Sequence, residues 1–273
     1  MLAEGTAFAT GYISPELFRG DWLVGAGNPV RQDSFKLSFL IAAAIFLLFA
    51  SPLFLFFRDH KKTFEKKPSY VRAGIERVRD TIRHMKKYRQ VARFMVAFFI
   101  YNDGILTVIS FASIFAQQSL NFSLQEIIVL FAVVQGSGVI GSLIFGVVTD
   151  KIGPKKTIDI NLILWLLVVT AAYFVHTKEM FFAIGIVAGS SLGASQSASR
   201  SLMALLTPKE REAEFFGFYD GLCRKASAVI GTFLFGLISY LTNNQRLSIL
   251  SVGVFFVVGL ILLQRVDDTR ATA

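Results

Sequence analysis

The apolar residues of the chain fall into long blocks that are separated by short polar connections. Seven blocks hold 18 or more predominantly apolar residues, the length at which a helix can cross a bilayer. The predicted helices cover residues 37–57, 92–117, 125–149, 157–175, 180–206, 214–240 and 247–264. At a rise of about 1.5 Å per residue, each can cross about 30 Å of hydrocarbon. The pattern therefore predicts an all-α integral membrane protein with about seven transmembrane helices.

Composition agrees with this prediction. The 273 residues are 53% hydrophobic and 17% charged, and the mean hydropathy is +0.56. A soluble domain carries about 25% charged residues. This composition excludes a water-soluble fold, and it makes the lipid bilayer the first predicted partner.

The placement of the +9 net charge orients the helices. Residues 58–90 hold 12 Lys or Arg against 4 Asp or Glu, which is typical of a cytoplasmic loop. If this loop is cytoplasmic, 20 basic residues lie inside when Arg93 at the inner end of its span is counted with them, 5 lie outside and 3 lie deeper within spans. Five apolar residues at helical spacing (Val71, Ile75, Val78, Ile82 and Met85) further predict a basic amphipathic helix there. We favour a helix on the membrane surface over a lipid or nucleic-acid sensor, and no nucleic-acid partner is predicted.

Small residues recur every four positions in several spans. The third span has Gly138, Ser142 and Gly146, the fifth has Gly185, Gly189, Gly193, Ser197 and Ser201, and the sixth has Gly217 and Gly221. Such faces predict close helix packing, with a moving gate helix as the alternative. Residues 136–141 also match the dinucleotide fingerprint, but they lie inside an apolar span with no preceding strand, so dinucleotide binding is not predicted.

The connection after the third span is the most specific short motif. It follows the pattern G-x-x-x-D-[RK]-x-G-x-[KR]-[KR] through Gly146, Asp150, Lys151, Gly153, Lys155 and Lys156. Gly153 and Pro154 predict a tight turn, and Asp150 can accept hydrogen bonds or cap a helix start. The loop resembles the signature loop of the major facilitator superfamily, whose aspartate joins a latch for one access state. The alternative is an ordinary positive-inside turn.

Ionisable residues inside spans are costly and therefore favour a cavity or a charged partner. Asp103 lies about 18 Å from the cytoplasmic end of its helix, and Arg224 and Lys225 lie about 15 to 16 Å deep. Arg200 and Asp220 each lie about 9 Å deep. Depth matching predicts two pairs, Asp103 with Arg224 or Lys225 and Arg200 with Asp220. Alternatives are an Asp220–Arg224 pair along one helix and purely structural ion pairs.

Three strings, residues 99–104, 193–201 and 214–219, narrow the resemblance. Over about residues 37–266 the chain is similar to the branch of the superfamily that includes the fungal vacuolar amino-acid effluxers linked to autophagy. The predicted cavity residues are Asn102, Asp103, Gln135, Gln196, Arg200, Tyr219, Asp220, Arg224 and Lys225. The predicted gating loop is Gly146, Asp150, Lys151, Gly153, Lys155 and Lys156.

The resemblance also implies a domain organisation. We expect residues 1–35 to be an extracytoplasmic segment, 36–57 the last helix of an incomplete N-terminal half, 58–90 the basic cytoplasmic linker, 91–266 a C-terminal six-helix transporter half, and 267–273 a cytoplasmic tail. A missing N-terminal half or a second copy would complete the cavity. The expected location is the inner or plasma membrane of the cell, or the vacuolar membrane in a eukaryote.

The expected function is a facilitator-type secondary transporter that works by alternating access. The resemblance implies a small solute such as a neutral amino acid, with a proton as a candidate coupling ion. Arg224 or Lys225 would meet a carboxylate, and Asp103 would meet an ammonium group or carry the proton. No cofactor, metal or catalytic residue is predicted and the chain is not expected to be an enzyme, because no nucleophile–base or metal-ligand set occurs. The alternative is a non-transporting membrane remnant or scaffold.

Overall fold

The computed structural model describes residues 40–52 and 88–267, and nearly all of these residues are helical. The chain divides into two units, residues 1–70 and 71–273. In the first unit the described element is α1 (Leu40–Pro52), an apolar helix that lies within the predicted span 37–57. The predicted amphipathic helix, the N-terminal segment and the C-terminal tail lie outside the described residues.

The second unit consists of helices joined by short connections. These are α2 (Arg89–Leu120), α3 (Leu124–Ile152), α4 (Pro154–Phe174), α5 (Lys178–Leu206), α6 (Glu212–Phe218), α7 (Arg224–Ala226), α8 (Val229–Thr242), α9 (Gln245–Ser251) and α10 (Gly253–Gln264). Six stretches are long and apolar enough to cross a membrane, namely α2, α3, α4, α5, Glu212–Thr242 and Gln245–Gln264. Their ends agree with the predicted spans to within three residues, which confirms the all-α membrane fold.

Local side-chain bonds fix the ends of the helices. Ser123 accepts the Glu126 amide at 3.3 Å, and the Glu126 carboxylate accepts the Ser123 amide at 2.7 Å, which forms a capping box at the start of α3. The same carboxylate accepts two hydrogen bonds of 2.8 Å from Lys178, the first residue of α5. The beginnings of α3 and α5 are therefore tied to one another.

The predicted small faces bring α3 and α5 into backbone contact. A Cβ built on Gly189 would clash with the carbonyl oxygen of Val134, and one built on Gly193 would clash with the carbonyl oxygen of Gly138. This confirms close packing at Gly138, Gly189 and Gly193. By contrast, a Cβ on Gly146, Gly217 or Gly221 would meet nothing within 4 Å, so these three glycines make no such approach.

A second close seam joins α2 to the last helix. A Cβ on Gly259 of α10 would lie 2.7 Å from the Cβ of Tyr101, and a Cβ on Gly104 of α2 would lie 3.0 Å from both Phe255 and Phe256. Phe256 in turn stacks on Trp165 of α4, with ring centroids 5.6 Å apart. The buried core therefore runs from α4 across α10 to α2. Helix α2 also packs against the broken span, which is described next.

The stretch Glu212–Thr242, called the broken span below, is not one continuous helix. After α6 the backbone forms a π-helix over Tyr219–Cys223, continues as α7, and leaves helical geometry at Ser227. Ala228 follows with φ of 94°, a left-handed conformation that is unusual for a residue with a side chain. The prediction of a single helix over 214–240 is wrong at this point, because neither Ser227 nor Ala228, where the helix breaks, is a Gly or Pro that would indicate a break.

Candidate functional site

Asp103 of α2 holds the break in place. Its carboxylate is fully buried. Oδ1 accepts a hydrogen bond of 2.7 Å from the backbone amide of Ala228, and Oδ2 accepts one of 2.9 Å from the backbone amide of Gly231. These amides lie at the start of α8, where helical N–H groups have no partner within the helix and the helix dipole favours an anion. Asp103 therefore caps α8 from a neighbouring helix. A Cβ on Gly231 would clash with the Thr107 hydroxyl and lie 3.0 Å from Asp103 Oδ1, so glycine gives α2 the room to approach here.

Asn102, the neighbouring residue, fastens the other side of the break. Its amide nitrogen donates to the Ser227 hydroxyl, which itself donates to the Arg224 carbonyl at 3.0 Å. The predicted pairing of Asp103 with Arg224 or Lys225 is wrong, since both of its oxygens face backbone amides. Depth along the membrane normal says nothing about which way a side chain points around its helix, and the free amides of α8 exist only because the span is broken.

A polar cleft opens beside the break. It is lined by Phe98, Tyr101, Asn102, Ile105, Leu192, Ser195, Gln196, Arg200, Tyr219 and Arg224. Arg224 donates to Gln196 Oε1 at 3.0 Å and lies 3.4 Å from Asp220 Oδ1, and Arg200 lies 3.9 Å from the same oxygen. One carboxylate thus lies between two guanidinium groups. Both the predicted Arg200–Asp220 pair and the alternative Asp220–Arg224 pair are present.

The side of the cleft towards the core is buried and held by hydrogen bonds and aromatic contacts. Tyr101 and Ser199 share a buried hydrogen bond of 2.7 Å, and Tyr219 packs on Phe98 with ring centroids 4.3 Å apart. Deeper in α5, Ser195 accepts hydrogen bonds from the side chains of Asn161 and, at 3.2 Å, Trp165. The predicted set did not include Tyr101, Ser195 or Ser199. The signal for the two serines was their four-residue spacing with Ser191, which places three hydroxyls on one buried face of α5; no pattern in the sequence singled out Tyr101.

The other predicted cavity residues are placed differently. Gln135 of α3 lies along an adjoining groove between α3 and α5, which shares Gln196 and Arg200 with the cleft. Lys225 is exposed, and no ion pair joins it to another residue of the described ranges. The structure therefore brings together Asn102, Gln196, Arg200, Tyr219, Asp220 and Arg224, sets Asp103 behind them, and leaves Lys225 apart.

The predicted gating loop forms a tight turn around glycine. Gly153 has φ of 89° and its amide donates to the Thr149 carbonyl at 2.9 Å, which ends α3, and Pro154 then begins α4. Asp150 lies in the last turn of α3, exposed to solvent, and it does not cap α4, because Gly153 is the N-cap residue. Among the described residues none forms a hydrogen bond with the side chain of Asp150. Its part in a latch stays a prediction, as do the roles of Gly146, Lys151, Lys155 and Lys156.

No group of three or more His, Cys, Asp or Glu side chains that could hold a metal ion occurs within residues 40–52 and 88–267. The chemistry of the cleft is that of ion pairing and hydrogen bonding. Guanidinium groups, an amide and a phenol can bind and orient a polar solute, and nothing in the lining set combines a nucleophile with a base.

Comparison with known proteins points to one family. The family described as vacuole effluxer Atg22 like matches residues 22–273. The chain is 28% identical over 238 residues to the MFS-type transporter YxiO of Bacillus subtilis, covering 87% of this chain and 55% of the relative. It is 24% identical over 290 residues to Autophagy-related protein 22 of Kluyveromyces lactis, covering 98% and 58%. The chain thus spans little more than half the length of these relatives, and their names are those of transport and autophagy proteins rather than enzymes.

Proposed function

The chain belongs to the vacuole effluxer Atg22-like family of multi-pass membrane proteins, and from that membership we propose that it carries the solute site of a facilitator-type secondary transporter. The proposed cargo is a small solute such as a neutral amino acid. The observation that carries the proposal is the polar cleft between α2, α5 and the broken span, where Arg200 and Arg224 line the opening and meet the partly exposed Asp220 on helices that are otherwise apolar.

The broken span supports a role in transport. Non-helical backbone at membrane depth is tolerated where it is buried in protein or lines a cavity, and transporters place such breaks at their solute sites. Here the break follows directly on Arg224, so a shift of α7 relative to α8 would move that guanidinium within the cleft. Asp103 and Asn102 keep the break in one geometry. They are positioning residues in this proposal, since the buried Asp103 is not open to a solute ammonium group.

An apolar cavity adjoins the polar cleft and supports a solute with an uncharged side chain. Residues of α2, α3, α4, α5 and α9 line it, among them Val108, Trp165 and Phe181, and its lining presents no polar surface. Leu192 borders both spaces. A solute with a polar head in the cleft and an apolar side chain beyond Leu192 would satisfy both environments.

Alternating access requires a second wall around the site. We propose that further sequence, a separate chain or a second copy of this chain supplies it, because the relatives are nearly twice as long as the part they share with this chain. A proton as coupling ion belongs to the same proposal, but Asp103, its predicted carrier, is fully buried and both its oxygens already accept backbone amides, so the carrier is left unassigned.

Counterflow in proteoliposomes tests the proposed function. We expect the purified chain alone to give no saturable exchange of labelled neutral amino acids, and the chain joined to a relative's N-terminal half to exchange them. Arg224→Gln should abolish that exchange, whereas Glu126→Gln, a matched removal of charge from an ion pair away from the cleft, should not. Robust exchange by the monomeric chain would refute the need for a second wall. Correct insertion without exchange of any solute would favour the scaffold alternative.

A further inference from the structure

The ion pairs at the cleft are long and partly exposed, and they share one carboxylate oxygen. Arg224 and Arg200 lie 3.4 Å and 3.9 Å from Oδ1 of Asp220, whereas charge-assisted hydrogen bonds are about 2.7–2.9 Å long. The side chains are 33% exposed for Arg224, 53% for Arg200 and 44% for Asp220. Pairs that are this exposed and this long contribute little to stability. Asp220 therefore interacts with both cations without holding either of them tightly.

The two guanidinium groups keep most of their donors for another partner. A guanidinium group has five N–H donors in a planar fork that matches a carboxylate. In the described structure Arg224 uses donors on Gln196 and Asp220, and Arg200 faces Asp220 alone. Two cations against one anion leave a net charge of +1, so the arrangement is neutralised by one further monoanion.

We propose that Arg200 and Arg224 form a carboxylate subsite, which Asp220 occupies as an internal substitute when no solute is bound. This inference rests on the proposed function and specifies which part of the solute the cleft recognises. A solute carboxylate pairs with the planar fork of Arg224, which Gln196 orients, and Asp220 moves aside to remain with Arg200. The carboxylate of the solute and that of Asp220 compete for the same donors.

The backbone under Asp220 suits a side chain that changes partners. Asp220 lies in the π-helix Tyr219–Cys223, a form that is rare and recurs at functional sites. Asp220 and Arg224 are both on the broken span, whereas Arg200 is on α5. When Asp220 pairs with Arg224 the ion pair stays within one span, and when it pairs with Arg200 the ion pair links two spans. The other carboxylate nearby, Asp103, takes no part in this competition, because both its oxygens already accept backbone amides.

The binding of amino acids to the purified chain in detergent tests the subsite, because this chain contains both arginines. The probes are matched pairs of neutral amino acids and their amides, such as L-leucine and L-leucinamide, measured by calorimetry. We expect each acid to bind at least about tenfold more tightly than its amide, which corresponds to about 1.4 kcal/mol. Equal binding of acid and amide, or no binding of any acid, would overturn the proposal. Inorganic phosphate that binds as tightly as leucine would show a general anion site and would overturn the carboxylate assignment.

Substitution of the internal carboxylate gives the sharpest test. Asp220→Asn removes the competitor, so it should tighten acid binding several-fold, and Arg224→Gln or Arg224→Lys should remove the preference for the acid. Glu126→Gln, which breaks the separate pair with Lys178, should change neither. Weaker acid binding in Asp220→Asn, at a melting temperature equal to that of Glu126→Gln, would show that Asp220 supports the site rather than occupying it.

The two proposals can fail separately. If acids and amides exchange equally well in the complete assembly, the carboxylate subsite is wrong and the transporter proposal stands. If the chain alone prefers acids but no complete assembly exchanges them, the transporter proposal is wrong and the subsite stands.

Discussion

Asp103 is a buried carboxylate whose two partners are both main-chain amides. Hydrogen bonds to a charged group contribute about 1.5–3 kcal/mol each, and a buried donor left without a partner adds a further cost. We expect Asp103→Ala to lower the free energy of unfolding by about 3 kcal/mol or more, and Asp103→Asn by about 2 kcal/mol, since an amide presents only one acceptor oxygen. Unfolding of the purified chain in detergent measures both changes.

Two further variants separate this role from ion pairing. Asp150→Asn, on an exposed residue of α3, is the matched control and should leave stability within about 0.5 kcal/mol. If Asp103 instead neutralised Arg224, the double variant Asp103→Asn with Arg224→Gln would recover stability. We expect no such recovery, and full recovery would contradict the capping role.

The sequence identifies Asp103 but not its partner. A carboxylate in the middle of an apolar helix is conspicuous because a charge there is costly. Its partners are amide groups that every residue carries, and they become available only because Ser227 and Ala228 leave helical geometry. Neither residue is Gly or Pro, so local sequence gives no warning of the break. Equal depth correctly predicted the pairing of Arg200 with Asp220, but the same argument gave the wrong partner for Asp103, so depth narrows the candidates without selecting among them.

At the scale of elements, the contact between α3 and α5 depends on residues without side chains. Gly193 lies so close to α3 that a Cβ would clash with the Gly138 carbonyl and the Ser142 amide. Inserting atoms into such a seam costs about 1–3 kcal/mol. We expect Gly193→Ala to lower the unfolding free energy by about 2 kcal/mol. Gly146→Ala on α3 has open space and should be neutral, or stabilising by up to about 1 kcal/mol.

The same seam bears on whether α5 moves as a gate. If α5 must slide along α3 during transport, Gly193→Ala should slow exchange in the complete assembly more than its loss of stability explains. If the seam serves only to pack α5 against α3, the rate of exchange per folded molecule of Gly193→Ala should be unchanged. Measuring counterflow and the folded fraction on the same sample decides between these two results.

The ends of the six membrane-spanning stretches were predictable to within three residues, since long apolar runs with polar ends have few alternative structures in a bilayer. The close seams were partly predictable. Gly189 and Gly193 make the backbone contacts that their spacing indicates, whereas Gly217 and Gly221 have the same spacing and make none. Spacing shows that a helix has a small face, and only the packed structure shows whether a neighbour uses it.

At the scale of the whole molecule, the turn between α3 and α4 presents charged side chains that partners outside this bundle could contact. Lys151 and Lys156 lie exposed around the turn, and Gly153 sets its geometry with a φ of 89°. Any residue with a side chain is strained in that conformation, so Gly153→Val should cost stability by about 1 kcal/mol or more. The side chain of Asp150 forms no hydrogen bond or ion pair within the described part of the chain, so the turn does not depend on it.

This contrast allows the latch to be tested in a complete transporter. If Asp150 stabilises one access state through a partner in the other half, Asp150→Asn should slow exchange several-fold while insertion and unfolding free energy stay unchanged. Gly153→Val should lower stability as well as exchange, so it serves as the comparison for a purely structural defect. Initial rates of counterflow, normalised to inserted protein, measure the effect. Exchange at the original rate in Asp150→Asn would reject the latch, and equal losses of insertion and exchange would leave the loop as an ordinary positive-inside turn.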